Sequence, residues 1–307
     1  RSGVSGHTAR LLRCAPCAAL KVFHMFLHRL MHGAKRFWMR ADWPRFAGAG
    51  WEERIMHLHL TDRLHEKQGR SIVRWQLRSG SEGLTVYLKR HYRLPRWLGW
   101  LSLLFPRKSW SPAAQEWHHL ERARQLGIPV PEAIAAGEWI GRWGKLRSFL
   151  AVKELTGMLP LHEAIPTAAK RLAPAAFTAW KRGMLAEIAR LVRLLHEQNW
   201  FHKDLYLCHF YVAENDIRND FGDWKNRVYL IDFHRLARHR WTRKFWQLKD
   251  LAQLLYSSEV EGMSAADGRE FWQQYTGGHS HHWLGRLVTW KARHYRNHNS
   301  KKLRLSV

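Results

Sequence analysis

The spacing of hydrophobic residues along the chain changes character twice. Over residues 20–38, Lys21, His24, His28, Arg29, His32, Lys35 and Arg36 fall on one side at the helical period, and Val22, Phe23, Phe26, Leu27, Leu30, Phe37 and Trp38 fall on the other. That pattern predicts a basic amphipathic helix, resting either on a membrane surface or on the protein's own core. Residues 1–19 show little periodicity and read as a leader. From about residue 55 the period shortens to that of strands. His57–Leu60, Ile72–Leu77 and Leu84–Lys89 are separated by the turn-forming runs Glu66–Ser71 and Ser79–Gly83, which predicts an antiparallel meander. A helix is expected over Pro112–Leu126, with Gly127 in the C-cap position and Pro129 just beyond, and a strand over Arg147–Leu155.

The second change comes after residue 155, where the helical period returns. Phe177–Gln198 places Met184, Leu185, Ile188, Leu191, Val192 and Leu195 on one face, the mark of a long helix with a buried side. Two short strands, Phe210–Val212 and Val228–Ile231, flank a charged loop. Helices resume at Lys244–Tyr256 and Gly268–Tyr275, and the basic tail from Arg286 reads as surface. The expected organisation is α+β in three parts: an extension at 1–50 carrying the amphipathic helix, a β-rich lobe at 51–155, and a mainly helical lobe at 156–307. A chain of 307 residues is long enough to bury a core in both lobes.

Composition adds a constraint on partners. Fifty-one Lys and Arg against 25 Asp and Glu give a formal net charge of +26, so the surface should attract polyanions such as anionic lipid, a phosphorylated glycan, nucleic acid or an acidic protein. Many of the 18 Trp stand beside Arg or Lys, as expected of core, cation–π or membrane-interface positions. Cys14 and Cys17 form a lone Cys-x-x-Cys, and with Cys208 distant there is no second pair to complete a zinc site; three cysteines suit a reducing, cytoplasmic compartment. No stretch approaches the ~20 uninterrupted apolar residues that cross a bilayer, so a membrane contact would be peripheral.

Four features occur in an order that phosphoryl-transfer chemistry explains. The strand Val86–Lys89 places Lys89 on the inner face of the meander, Glu116 lies on the following helix, Asp204 follows the long helix within Phe201-His202-Lys203-Asp204, and Asp232 ends a buried apolar strand. Transfer from ATP needs a fixed cation and Mg²⁺ on the phosphates, and a carboxylate to orient the attacking hydroxyl and take its proton. Lys89, held by Glu116, suits the phosphates; Asp232 suits Mg²⁺, which favours carboxylate oxygen; Asp204 suits the base. Gly69 reads either as a remnant of a phosphate-covering glycine loop or as a plain hairpin turn.

Together these residues resemble the protein-kinase set of strand Lys, helix Glu, His-Arg-Asp and Asp-Phe-Gly. Lys203 stands in place of the Arg. His234 replaces the last Gly, which argues against an activation-loop switch. His209 stands where ordinary kinases carry a metal-binding Asn, and could contact metal, phosphate or water. The longer runs His202-Lys203-Asp204-Leu205-Tyr206-Leu207-Cys208-His209-Phe210, Leu230-Ile231-Asp232-Phe233-His234-Arg235 and Lys249-Asp250-Leu251-Ala252-Gln253-Leu254-Leu255-Tyr256-Ser257 closely resemble the lipopolysaccharide kinase (Kdo/WaaP) family over roughly residues 55–300. The resemblance implies a bilobal protein-kinase-like fold, with a small antiparallel-sheet lobe bearing one helix and a larger helical lobe. It implies ATP and Mg as cofactors and an inner-core sugar, typically heptose, as acceptor, at the cytoplasmic face of a bacterial inner membrane. It also implies that Asp250 braces the catalytic loop near His202, and that Val152–Leu155, with Glu154, is the hinge whose backbone meets adenine. Pro95–Lys108, aromatic and bracketed by cations, is expected to dip into an anionic membrane interface or to pack as an ordinary helix. The competing readings are a kinase-fold phosphotransferase for another acceptor, small molecule or protein, and a non-catalytic binder of anionic lipid or nucleic acid. No nucleic-acid module is recognisable, which disfavours that last partner.

Overall fold

The computed structural model describes residues 27–58, 63–67, 69–105, 108–219, 222–279 and 282–305. Two lobes with different architecture account for them. The first is built on a six-stranded antiparallel sheet in the order β1-β5-β6-β4-β3-β2. Its strands are β1 (Ala34–Met39), β2 (Arg63–Lys67), β3 (Arg70–Ser79), β4 (Glu82–His91), β5 (Ala133–Gly141) and β6 (Lys145–Lys153). Alternation along β4 decides which side chains go where. Leu84, Val86 and Leu88 point into a core with Trp43, Trp51 and Phe149, so Lys89 falls on the opposite face. The helices α2 (Trp43–Ala47) and α3 (Trp51–Arg54) cap the core side. The helix α5 (Pro112–Gln125), started by Ser111 accepting from the Ala114 N–H, lies against β4, β5 and β6.

Two expectations for the amino-terminal part need correction. Residues 27–32 are helical (α1), but the helix expected over 20–38 does not reach its second half: Ala34–Met39 is the edge strand β1, in register with β5 from Ala34 opposite Ile140 to Met39 opposite Ala135. Gly33, at φ +78°, ends the helix, and the strand period then sends Phe37 onto Trp51 and Trp139 while Trp38 turns to His118. Residues 34–50 therefore belong to the sheet lobe and not to a separate extension. His57 ends a turn after α3 and Leu58 is in no strand, residues 59 and 60 lie outside the described residues, and the first strand of the hairpin is Arg63–Lys67. Cys14 and Cys17 lie outside the described residues.

The second lobe is helical, with α6 (Leu161–Arg171), α7 (Pro174–Glu197), α8 (Arg243–Ser257), α9 (Ala265–Thr276) and α10 (His282–Leu305). The apolar face expected of Phe177–Gln198 is buried: Met184, Leu185, Ile188, Leu191, Val192 and Leu195 join one core with Trp180, Phe210 and Phe233. The tail from Arg286 is part of α10, whose Leu284, Val288 and Ala292 recur every four residues and are buried. Small ribbons carry the loops between them: β7 (Met158–Pro160), β9 (Phe210–Ala213) and β10 (Tyr229–Leu230) form one, and β8 (Trp200–Phe201) with β11 (Ala237–Arg238) the other. Among the described residues no helix is long and apolar enough to cross a membrane.

Candidate active site

The two lobes meet through Lys89. Its Nζ donates to Glu116 Oε1 of α5 at 2.6 Å and to Asp232 Oδ1 of the helical lobe at 3.4 Å. Burial works to neutralise the ammonium, but the Glu116 and Asp232 charges outweigh it and hold the Lys89 pKa above its ordinary value. Both partners stay close because α5 is tied to the segment after Asp232: His119 Nδ1 donates to the Phe233 carbonyl at 2.9 Å.

Asp232 sits at a sharp break. It adopts φ +65°, ψ +58°, the left-handed region that non-glycine residues rarely occupy. His234 Nδ1 donates to its Oδ1 at 2.7 Å. Burial pushes the Asp232 carboxyl up, yet the His234 bond and the Lys89 charge prevail and hold it far below the usual carboxylate range. His209 faces its other oxygen, with Nε2 4.0 Å from Oδ2. The second ring nitrogen donates to the Asp204 carbonyl at 2.8 Å, so in the neutral ring Nε2 carries the lone pair. A lone pair and a carboxylate oxygen facing each other across 4.0 Å fit a divalent cation between them. Among the described residues no cluster of three or more His, Cys, Asp or Glu could hold a metal unaided.

Asp204 lies on a loop held by Asp250 of α8. The buried Asp250 carboxylate accepts from the His202 and Lys203 N–H groups, each at 2.8 Å, and from His196 Nε2 at 3.3 Å. These bonds, with Lys249 Nζ donating to the Lys203 carbonyl at 2.6 Å, hold Lys203 at φ +69°. His202 is fully buried and donates through Nε2 to the Ile231 carbonyl at 3.0 Å; burial lowers its pKa, so the ring is neutral and joins the loop to the strand before Asp232. The contacts Lys89–Asp232, Asp232–His209 and His209–Asp204 thus form one unbroken chain.

Two candidates sit elsewhere than expected. Glu154 spends its carboxylate on Arg74 Nε at 2.6 Å, Arg74 Nη2 at 2.8 Å and Tyr87 Oη at 3.1 Å, and its N–H on the Thr85 carbonyl at 3.0 Å. Its N–H is therefore already paired within the sheet lobe. Gly69 lies in the β2–β3 link at φ +77°, its carbonyl accepting from Tyr92 N at 2.8 Å. A Cβ there would meet Arg93 Cβ at 3.2 Å, so the residue is pinned against the end of β4 as a tight hairpin turn. Sequence reasoning missed His119, His234 as a partner of Asp232, and Arg235, which binds Asp204. No local pattern marks them, although His234 and Arg235 stand in the quoted Asp-Phe-His-Arg run.

Comparisons with known proteins bear on the family and the fold. The model of the lipopolysaccharide kinase (Kdo/WaaP) family matches residues 63–275. A lipopolysaccharide core heptose(I) kinase WaaP of Pseudomonas aeruginosa is 29% identical over 214 residues, covering 68% of this chain and 75% of the relative. The same kinase of Escherichia coli K12 is 27% identical over 171 residues, 54% of this chain and 60% of the relative. A 3-deoxy-D-manno-octulosonic acid kinase of Haemophilus influenzae is 25% identical over 188 residues, covering 58% and 68%. A solved structure of WaaP in complex with acyl carrier protein superposes with a TM-score of 0.63 at 24% identity, covering 85% of this chain and 98% of that one.

Proposed function

Because the chain belongs to the lipopolysaccharide kinase (Kdo/WaaP) family, we propose that it transfers the γ-phosphoryl group of ATP to a sugar hydroxyl of the lipopolysaccharide inner core, with heptose the favoured acceptor. The observation that carries this reading is the chain of contacts from Lys89 and Glu116 through Asp232 and His209 to Asp204. Lys89 neutralises phosphate charge, and Glu116 fixes where the ammonium points. Asp232, with His209, would hold Mg²⁺, which supplies charge neutralisation to the transferring phosphoryl group. Asp204 accepts the proton of the acceptor hydroxyl as that oxygen bonds to the γ-phosphorus and the bond to the β–γ bridging oxygen breaks, releasing ADP. ATP turnover with purified core oligosaccharide tests the assignment. Asp204→Ala should lower it ~10³-fold or more, a barrier rise of ~4 kcal/mol; unchanged turnover would remove Asp204 from the mechanism.

The proposed place of work is the cytoplasmic face of an anionic membrane. The helix α4 (Arg96–Leu104) and its neighbours leave Trp97, Trp100, Leu104 and Phe105 exposed, with Arg96 at one end and Lys108 over the Trp110 ring at 4.4 Å. Exposed Trp143 and Met31 extend the patch: Gly99 packs on Gly144, and Arg142 Nε donates to the Met31 carbonyl at 2.8 Å. An apolar surface rimmed by cations suits lipid head groups. Flotation with anionic vesicles checks it; Trp97, Trp100 and Phe105 replaced together by Ser should abolish binding, and retained binding would locate the contact elsewhere.

An acidic protein is a second proposed partner. The charge of +26 favours one, and the superposed WaaP was solved with an acyl carrier protein. A mostly apolar cavity of about 1120 Å³ among α7, α8, α9 and α10, lined by residues such as Ile188, Leu254, Val260, Met263 and Val288, offers room for an apolar group that such a partner bears. Co-elution of purified acyl-loaded carrier protein, and none of the unloaded form, is the expected result.

A further inference from the structure

Asp204 is occupied. Both of its carboxylate oxygens accept from Arg235 Nη1, at 3.0 and 2.9 Å. While the guanidinium bridges both oxygens it takes up lone pairs that an acceptor hydroxyl would otherwise meet. Arg235 closes the turn Phe233–Arg235 that begins at Asp232, and its side chain is 47% exposed. Swinging it away from Asp204 therefore requires no unpacking of the core.

Two more cations crowd the same spot. Lys203 precedes Asp204, and Lys249 bonds to the Lys203 carbonyl at 2.6 Å. Both ammonium groups lie over the Trp246 ring, at 4.5 and 5.4 Å from its centroid. Burial and then the charge of Arg235 hold both lysines below their ordinary pKa. Asp250, the other carboxylate close by, is spent on the backbone of His202 and Lys203 and on His196. Three cations thus share the one carboxylate left to them, that of Asp204. An uncompensated cluster of this kind is a site for an anion.

We infer that Arg235, with Lys203 and Lys249, forms a subsite for a carboxylate borne by the acceptor saccharide, and that the guanidinium leaves Asp204 for that carboxylate when the acceptor binds. The inference rests on the phosphotransferase reading above. The exchange trades one Arg–carboxylate pair for another at a half-exposed guanidinium, so acceptor binding can drive it. It frees the base only beside the correct acceptor and keeps Asp204 engaged when water alone is present. Arg235 is in this sense a specificity residue that also guards against futile ATP hydrolysis.

The test uses the full chain and three forms of one core oligosaccharide: untreated, with its sugar-acid carboxyls reduced to alcohols, and enzymatically dephosphorylated. With wild type, carboxyl reduction should lower kcat/KM roughly 10- to 100-fold, mostly through KM, the loss expected when charged hydrogen-bond donors are left without a partner. Dephosphorylation should change little. Arg235→Gln should lose about as much on the untreated sugar, become indifferent to carboxyl reduction, and release ADP faster than wild type when no acceptor is present; Arg235→Lys should recover part of the discrimination. Wild type indifferent to carboxyl reduction would overturn the inference without any variant. So would a loss on dephosphorylation alone, which would assign the subsite to phosphate, or Arg235→Gln retaining wild-type discrimination. No transfer from ATP to any of the three sugars would sink the underlying phosphotransferase reading, a different failure from loss of discrimination alone.

Discussion

Replacing Asp250 by Asn keeps the size of the side chain and removes the feature on which the catalytic loop depends. The carboxylate accepts three hydrogen bonds, from His202 N, Lys203 N and His196 Nε2. His196 is itself set by Tyr275, whose hydroxyl is 2.8 Å from Nδ1 and accepts from Gln247 at 2.7 Å. The Asn oxygen can keep one backbone N–H, but its amide nitrogen then turns a donor towards the other. One charge-assisted bond is lost and a buried N–H is left without an acceptor, which together cost about 2–4 kcal/mol. For a chain of this size that should lower Tm by roughly 5–15 °C. Lys203, held at φ +69° by these bonds, relaxes, and Asp204 moves with it. Calorimetry and turnover at saturating ATP and acceptor measure the two effects, and kcat should fall about 10- to 100-fold through misplacement of the base. A variant melting within about 2 °C of wild type with an unchanged kcat would refute the idea that Asp250 holds the loop.

Other substitutions test the rest of the frame. Lys89→Ala leaves Glu116, whose side chain is only 4% exposed, without its cation, so it should destabilise the protein by about 3 kcal/mol or more as well as abolish turnover; Glu116→Gln should fold normally and raise KM for ATP, and equal KM values would break the proposed pairing. Gly99→Ala would drive a methyl into the Gly144 backbone and lever α4 off the sheet lobe, lowering Tm and weakening vesicle binding together; loss of only one would separate the helix's structural and membrane roles. His91 carries a pH prediction. Burial first, then the charges of Arg70 and Lys89, pushes its pKa down to about 3, whereas the unfolded chain titrates near 6.5. The unfolded state therefore takes up the proton first, and stability is lost as pH falls from about 6.5 towards 3. His91→Gln should flatten that part of the Tm–pH curve, and an imidazole resonance that titrates between about pH 8 and 5 in the folded protein would contradict the burial argument.

Periodicity made the long elements legible. The face of α7 showed because a helix half buried along its length repeats its apolar positions at the helical period. Lys89 could be placed on a strand for the matching reason that β4 alternates the buried Leu84, Val86 and Leu88 with half-buried neighbours. β5 escaped notice because Ala133–Ile140 is buried on both faces, which erases alternation, and because its alanines and Gly137 carry little strand propensity. β1 differs for the opposite reason: its residues extend a helical pattern, and only pairing with β5, about a hundred residues away in the chain, makes them a strand.

The candidate site divides along the same line. Residue types and their order pointed to Lys89, Glu116, Asp204 and Asp232, since a lysine at a strand end and an aspartate ending a buried strand are local facts. Which groups touch is a matter of tertiary structure. That Arg235 covers Asp204, that Glu154 turns away to Arg74, and that His209 aims one nitrogen at Asp232 while binding Asp204 with the other depend on where separate elements dock. Local sequence constrains a residue's backbone conformation and its exposed or buried side. Its partners are chosen by packing between distant segments, whose energies reside in the assembled core and leave no periodic trace in the chain.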